Sequence, residues 1–146
     1  MKTQQSDTHD LRMERRLEAP VERVWEALTA RDWIPRWYGP GNDFEIEVLE
    51  WECRVGGGYR VAMHAGEETH TCYGTFRTVE PRRRVAYTWA WEGQPPMDTL
   101  VTFQIQPDGD STQLIFTHEG FPAEEAREQH QQGWTGSLEQ LAAAVG

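Results

Sequence analysis

The sequence predicts an α+β domain in which a curved antiparallel sheet wraps around one long C-terminal helix. Three observations carry this. The hydrophobic period is two from Asp43 to His118, the links between the alternating stretches are short and rich in turn residues, and a single long helical segment follows Phe121-Pro122. A sheet that is polar on one face must bury the other, and that last helix is the partner available to it.

Each element is justified by its own pattern. Leu11, Met13 and Leu17 alternate with polar residues as a first strand, and Pro20 then opens a helix on which Val21, Val24, Trp25 and Leu28 form one stripe. A short second helix carries Trp33 and Trp37 on one face, is broken by Pro35 and ends at Gly39-Pro40. Phe44, Ile46 and Val48 mark the second strand, and Tyr59, Val61 and Met63 the third. The fourth runs from Cys72 to Val79, and the fifth holds Val85, Tyr87, Trp89 and Trp91. Val101, Phe103 and Ile105 mark the sixth, and Leu114, Phe116 and His118 the seventh. Links such as HAGEE and PDGD predict antiparallel hairpins. The Gly56-Gly57-Gly58 run precedes a strand and lacks the lysine and helix of a phosphate loop, so it reads as a hairpin turn.

The final helix contains an anomaly. In HQQGWTGSLEQLAAAVG, Leu138, Leu141 and Val145 have helical spacing, but Gly133 and Gly136 flank Trp134. Each interior glycine costs a helix about 1 kcal/mol relative to alanine. The glycines therefore predict either close approach of the sheet to the helix backbone or space left open beside it.

Composition sets the outer limits. A chain of 146 residues is the size of one domain; the polar segment 1–9 reads as a disordered lead-in and 10–146 as the domain. The first forty residues hold seven bases and seven acids, so the excess of ten negative charges lies from Gly41 onward. Nucleic acid, which demands a basic face, and anionic membrane are excluded as partners on this reading. Arg82-Arg83-Arg84 after Pro81 reads as a solvated turn. Without an apolar run near twenty residues or a basic-then-apolar leader, the expected location is cytoplasmic. Cys53 and Cys72 lack redox or zinc spacing and read as reduced structural thiols.

The segments APVERVWEALT, WIPRWYGP, RVGGGYR, GTFRTVEPRRRVAYTW, TQLIFTHEGFP and HQQGWTGSLEQLA, in that order, resemble single-domain homologues of the heat shock protein 90 ATPase activator, within the START-like (SRPBCC, Bet v 1-like) superfamily. The resemblance covers about Leu11 to Val145. It implies a helix-grip fold, with two short helices closing one end and a cavity between sheet and helix. It also implies ligand binding of the kind known in the superfamily for lipids, hormones and polyketides, or an aromatase/cyclase activity. The chain matches only the second domain of the two-domain activator, so the resemblance does not imply ATPase stimulation.

Two functional readings follow, with a third behind them. The first is a non-enzymatic protein holding a small hydrophobic or aromatic ligand against Trp33, Trp37, Tyr59, Phe76, Trp91 and Trp134, which fall at helix ends, strand ends or glycine gaps. Trp25, Tyr87, Trp89 and Phe103 read as core. The second is a cyclase- or hydrolase-like enzyme with His118 or His130 as acid/base, oriented by Glu119, Glu125 or Glu128. The third is a chaperone-interacting module. No cofactor, metal site or nucleophile is expected, since neither HxxxH, CxxC nor GxSxG occurs. A monomer or weakly associating homodimer is expected.

Overall fold

The structure is a computed structural model and describes residues 9–41, 43–95 and 98–146. Strand β1 (His9–Leu17) is followed by helix α1 (Val21–Thr29), a 3-10 turn (Arg31–Trp33) and the single-turn helix α2 (Ile34–Trp37). Six strands follow: β2 (Glu45–Trp51), β3 (Gly58–Ala65), β4 (Glu68–Glu80), β5 (Arg84–Trp91), β6 (Thr99–Asp108) and β7 (Ser111–Phe121). Helix α3 (Glu124–Val145) ends the chain. Apart from His9, the segment read as a lead-in lies outside the described residues.

The sheet has seven strands in the order β1-β7-β6-β5-β4-β3-β2, with every neighbouring pair antiparallel. Strands β2 to β7 form a meander, as short turn-rich links require, and β1 closes the far edge by pairing with β7. The α+β helix-grip architecture expected from the sequence is therefore the one observed. The strands extend beyond their alternating cores because backbone pairing continues where side chains no longer alternate cleanly. The fourth strand begins at Glu68 rather than Cys72, and the seventh reaches Phe121. Arg82 and Arg83 are exposed in the β4–β5 turn.

One face of the sheet forms the core. Tyr59 and Val61, Phe76, Val85 and Tyr87, Val101 and Phe103, and Leu114 and Phe116 are buried from five successive strands. They meet Trp134, Leu138, Leu141 and Val145 of α3. Burying a large apolar side chain stabilises by roughly 1.5–3 kcal/mol, so a few such contacts outweigh the helix propensity that Gly133 and Gly136 cost α3.

Helix α1 is tied off by two indoles. Pro20 sits at its N-cap, where its carbonyl accepts from the Arg23 and Val24 amides. At the other end the last carbonyls have no intrahelical donors. Trp37 Nε1–H donates to the Ala27 carbonyl at 2.8 Å, and Trp51 Nε1–H to the Thr29 carbonyl at 2.8 Å.

Candidate functional site

A cavity of about 550 Å³ opens between the first half of α3, the ends of strands β3 to β5 and the loop after α2. Trp89, Trp134, Tyr38 and Met63 form its deep wall, all buried in the fold, and Trp91 and His130 stand nearer the mouth. None of its lining residues is Asp, Glu, Lys or Arg.

The two glycines of α3 have different roles. A Cβ on Gly133 would stand 3.8 Å from the Pro40 side chain, an ordinary contact, and Gly133 lines the cavity. A Cβ on Gly136 would overlap the Pro40 carbonyl. The close approach expected of the sheet is thus made instead by the Gly39-Pro40 loop, whose backbone lies directly on the helix. Ser137 Oγ donates to the Gly39 carbonyl at 2.7 Å, and Gln140 Nε2 donates to the same oxygen at 2.8 Å. The loop is thereby fastened along one side of α3 while Gly133 leaves space one turn earlier.

Both histidines are held by tryptophans. Indole N–H can only donate, so each bond fixes a lone pair on the imidazole nitrogen it meets. Trp134 Nε1–H donates to His118 Nδ1 at 3.0 Å. His118 must therefore carry its proton on Nε2, which donates to Thr99 Oγ1 at 3.0 Å, and Thr99 in turn donates to the Trp89 carbonyl at 2.7 Å. Register puts these groups together: Trp89 pairs with Thr99, and Val101, two residues on, pairs with His118. His130 is the opposite tautomer. Its Nε2 accepts from Trp91 Nε1–H at 2.9 Å, and its Nδ1–H donates to the Ala126 carbonyl at 2.8 Å.

Burial lowers the pKa of His118 well below the ordinary histidine value, and a charge on His130 would lower it further. Burial also lowers that of His130, against the opposing pull of the Ala126 carbonyl. Both rings are neutral near pH 7 with every nitrogen occupied. Neither presents a free lone pair or proton to a substrate, and among the described residues no carboxylate hydrogen-bonds either ring. The geometry therefore does not supply the acid/base group expected of His118 or His130. His118 lies wholly in the core rather than at the cavity mouth, because the chain Trp134–His118–Thr99 closes around it.

The tryptophans and other rings divide between cavity and core. Of the six rings expected at a ligand wall, Trp91 and Trp134 line the cavity. Trp37, Tyr59 and Phe76 do not: Trp37 is spent on the α1 carbonyl, and Tyr59 and Phe76 pack at 5.8 Å from each other in a cluster completed by Trp51 and Tyr87. Trp33 is half-buried against the core outside the cavity lining, with the Arg36 guanidinium 4.0 Å from its ring. Trp89, expected in the core, is buried and also lines the cavity; the signal for this is its parity with Trp91, two residues on along β5. Tyr38 and Met63 were missed as lining. The Trp89 indole Nε1–H is buried and has no acceptor among the described residues. Among those residues no three His, Cys, Asp or Glu side chains converge as metal ligands.

An antiparallel sheet gripping a long C-terminal helix, with a cavity between them, defines a START-like helix-grip domain, which at a coarse level is a ligand-binding architecture. Within that class the chain belongs to the family of Activator of Hsp90 ATPase homolog 1-like proteins, whose sequence profile matches residues 18–146. It is similar to a crystallised Chromobacterium violaceum protein at 32% identity, covering 93% of this chain and 96% of that one, with a TM-score of 0.86. An AHSA1 protein from Silicibacter pomeroyi is 26% identical over 94% of this chain and 97% of its own, with a TM-score of 0.83. CalU16 from Micromonospora echinospora is also 26% identical, covering 95% of this chain and 77% of that one, with a TM-score of 0.72. Among curated proteins, none matches this sequence.

Proposed function

We propose that this protein binds a small, uncharged, apolar or aromatic ligand in the cavity between the sheet and α3, and holds it without chemical change. One observation carries the reading: about 550 Å³ of space walled by Trp89, Trp91 and Trp134, with no Asp, Glu, Lys or Arg in the lining. The volume suits a drug-sized molecule, and three indoles offer flat faces and edges. An anionic ligand would meet no Lys or Arg there and would approach a chain of net charge −10. The occupied histidine nitrogens argue against turnover.

A neutral fluorescent probe, N-phenyl-1-naphthylamine, tests this. Titration should quench tryptophan emission saturably in the parent protein. Gly133→Leu, which directs an isobutyl group into the cavity, should abolish the response while circular dichroism stays native. Absence of saturable binding by the parent would overturn the reading.

A further inference from the structure

The bond from Trp91 to His130 joins the last residue of β5 to the first half of α3, and both rings line the cavity. The backbone of α3 lies nearest α2, β1, α1 and β7, so its connection to β5 at this point is made by side chains. That connection cannot tolerate a second proton on the imidazole. With Nδ1–H already given to the Ala126 carbonyl, Nε2 must keep its lone pair to receive the Trp91 N–H. Once Nε2 is protonated, two N–H groups face each other and the bond is lost.

We infer that His130 is an acid-sensitive latch on the cavity, whose protonation frees Trp91 from α3 and weakens the hold on the ligand. This deepens the ligand-binding reading and rests on it. The surroundings of the ring determine when the latch opens. From β7, His118 and Phe121 face it, with ring centroids at 5.5 and 4.7 Å. From β5, Trp89 and Trp91 face it at 6.4 and 6.1 Å. His70 of β4 lies beyond, 6.3 Å from Trp91, and pairs with Glu68. On α3, Glu124 holds Arg127 and contacts His9, and Glu92, the residue after Trp91, holds Arg60. An imidazolium at His130 thus finds a second imidazole and three aromatic rings, and no hydrogen-bonded carboxylate. The latch is closed at neutral pH and opens on acidification. Because His118 is buried more deeply than His130, its own bond to Trp134 is the later of the two to break.

Two readouts taken together test the latch. The Trp91 indole N–H resonance of ¹⁵N-labelled protein and the affinity for N-phenyl-1-naphthylamine are followed from about pH 7.5 to 5. In the parent, the resonance should move with the His130 titration, and affinity should fall about tenfold with the same midpoint, the effect of losing one hydrogen bond. In His130→Gln, whose amide oxygen can accept from Trp91 without titrating, affinity should not vary with pH across this range, whatever its starting value. Trp91→Phe, which has no N–H to lose, should be flat as well. An unchanged pH dependence in either variant overturns the inference, as does a Trp91 resonance that ignores the His130 titration or a resonance that moves while affinity stays constant. If the probe binds at no pH, the ligand-binding reading falls and takes the latch's role with it, while the resonance still reports separately whether the bond titrates.

Discussion

Trp134 and His118 are bonded indole to imidazole at 3.0 Å in the core, and this one contact fixes the charge state of the histidine. It also makes stability depend on pH with a definite sign. The folded-state pKa of His118 is depressed by burial, and that of His130 by the same cause to a lesser depth. Below the unfolded histidine pKa of about 6.5 the unfolded chain takes up protons that the folded chain refuses. Stability is therefore fully present above that pH and is lost as pH falls, by up to about 1.4 kcal/mol per pH unit for each ring that stays neutral. Urea melts at pH 7.5 and 5.5 are expected to show the loss; equal stability at the two values would contradict the assignment of buried neutral rings.

The two glycines of α3 are expected to respond in opposite directions to alanine. Gly133→Ala meets only an ordinary contact with Pro40 and gains helix propensity, so it should stabilise by about 0.5–1 kcal/mol. Gly136→Ala drives a methyl group into the Pro40 carbonyl, backbone that Ser137 and Gln140 hold in place through Gly39. A loss of about 1–3 kcal/mol or more is expected. Thermal melts of the two variants check this, and a stabilised Gly136→Ala would mean that the loop is not seated on the helix.

The fold was legible because its signals are local. Alternation names a strand and the face it buries, turn residues name a hairpin, and the glycines beside Trp134 announce a close approach. The site was legible only where one of those signals coincided with it, as at Trp91 and Trp134. Alternation does not distinguish a ring at the cavity wall from one deeper in the same face, which is why Tyr59 and Phe76 were misplaced and Trp89 was assigned to core. The partners that decide chemistry are remote in sequence. Trp91 is 39 residues from His130, and Gly39 is 98 from Ser137. No local pattern states that an imidazole nitrogen is already occupied.

The thiols are expected to be inert in the folded chain. Burial pushes the Cys53 thiol up to about 11, and burial raises Cys72 further still. At pH 8 the thiolate fraction of Cys53 is then about one in a thousand, so labelling should run about a hundredfold or more slower than for a free thiol. Denaturant should release two reactive thiols per chain, since both cysteines are free. Rapid labelling of either one in native protein would contradict this burial and reopen a covalent role.

Trp37 separates the cavity from the core most sharply, because the sequence placed it among the ligand contacts and the structure places it under α1. Its indole N–H satisfies the Ala27 carbonyl, and its ring packs edge-on against Phe103 at 5.9 Å. Helix α1 has no basic residue in its last turn; the Ala30 N–H meets the Glu26 carbonyl, and the indoles of Trp37 and Trp51 meet those of Ala27 and Thr29. Trp37→Phe keeps an aromatic ring but leaves the Ala27 carbonyl buried and unpaired, at a cost of about 1–3 kcal/mol. The variant should melt earlier than the parent. Its affinity for N-phenyl-1-naphthylamine, measured well below the melt, should stay within a few-fold of the parent value, since Trp37 does not reach the cavity. Loss of probe binding with the melting temperature unchanged would reverse the assignment and return Trp37 to the ligand wall.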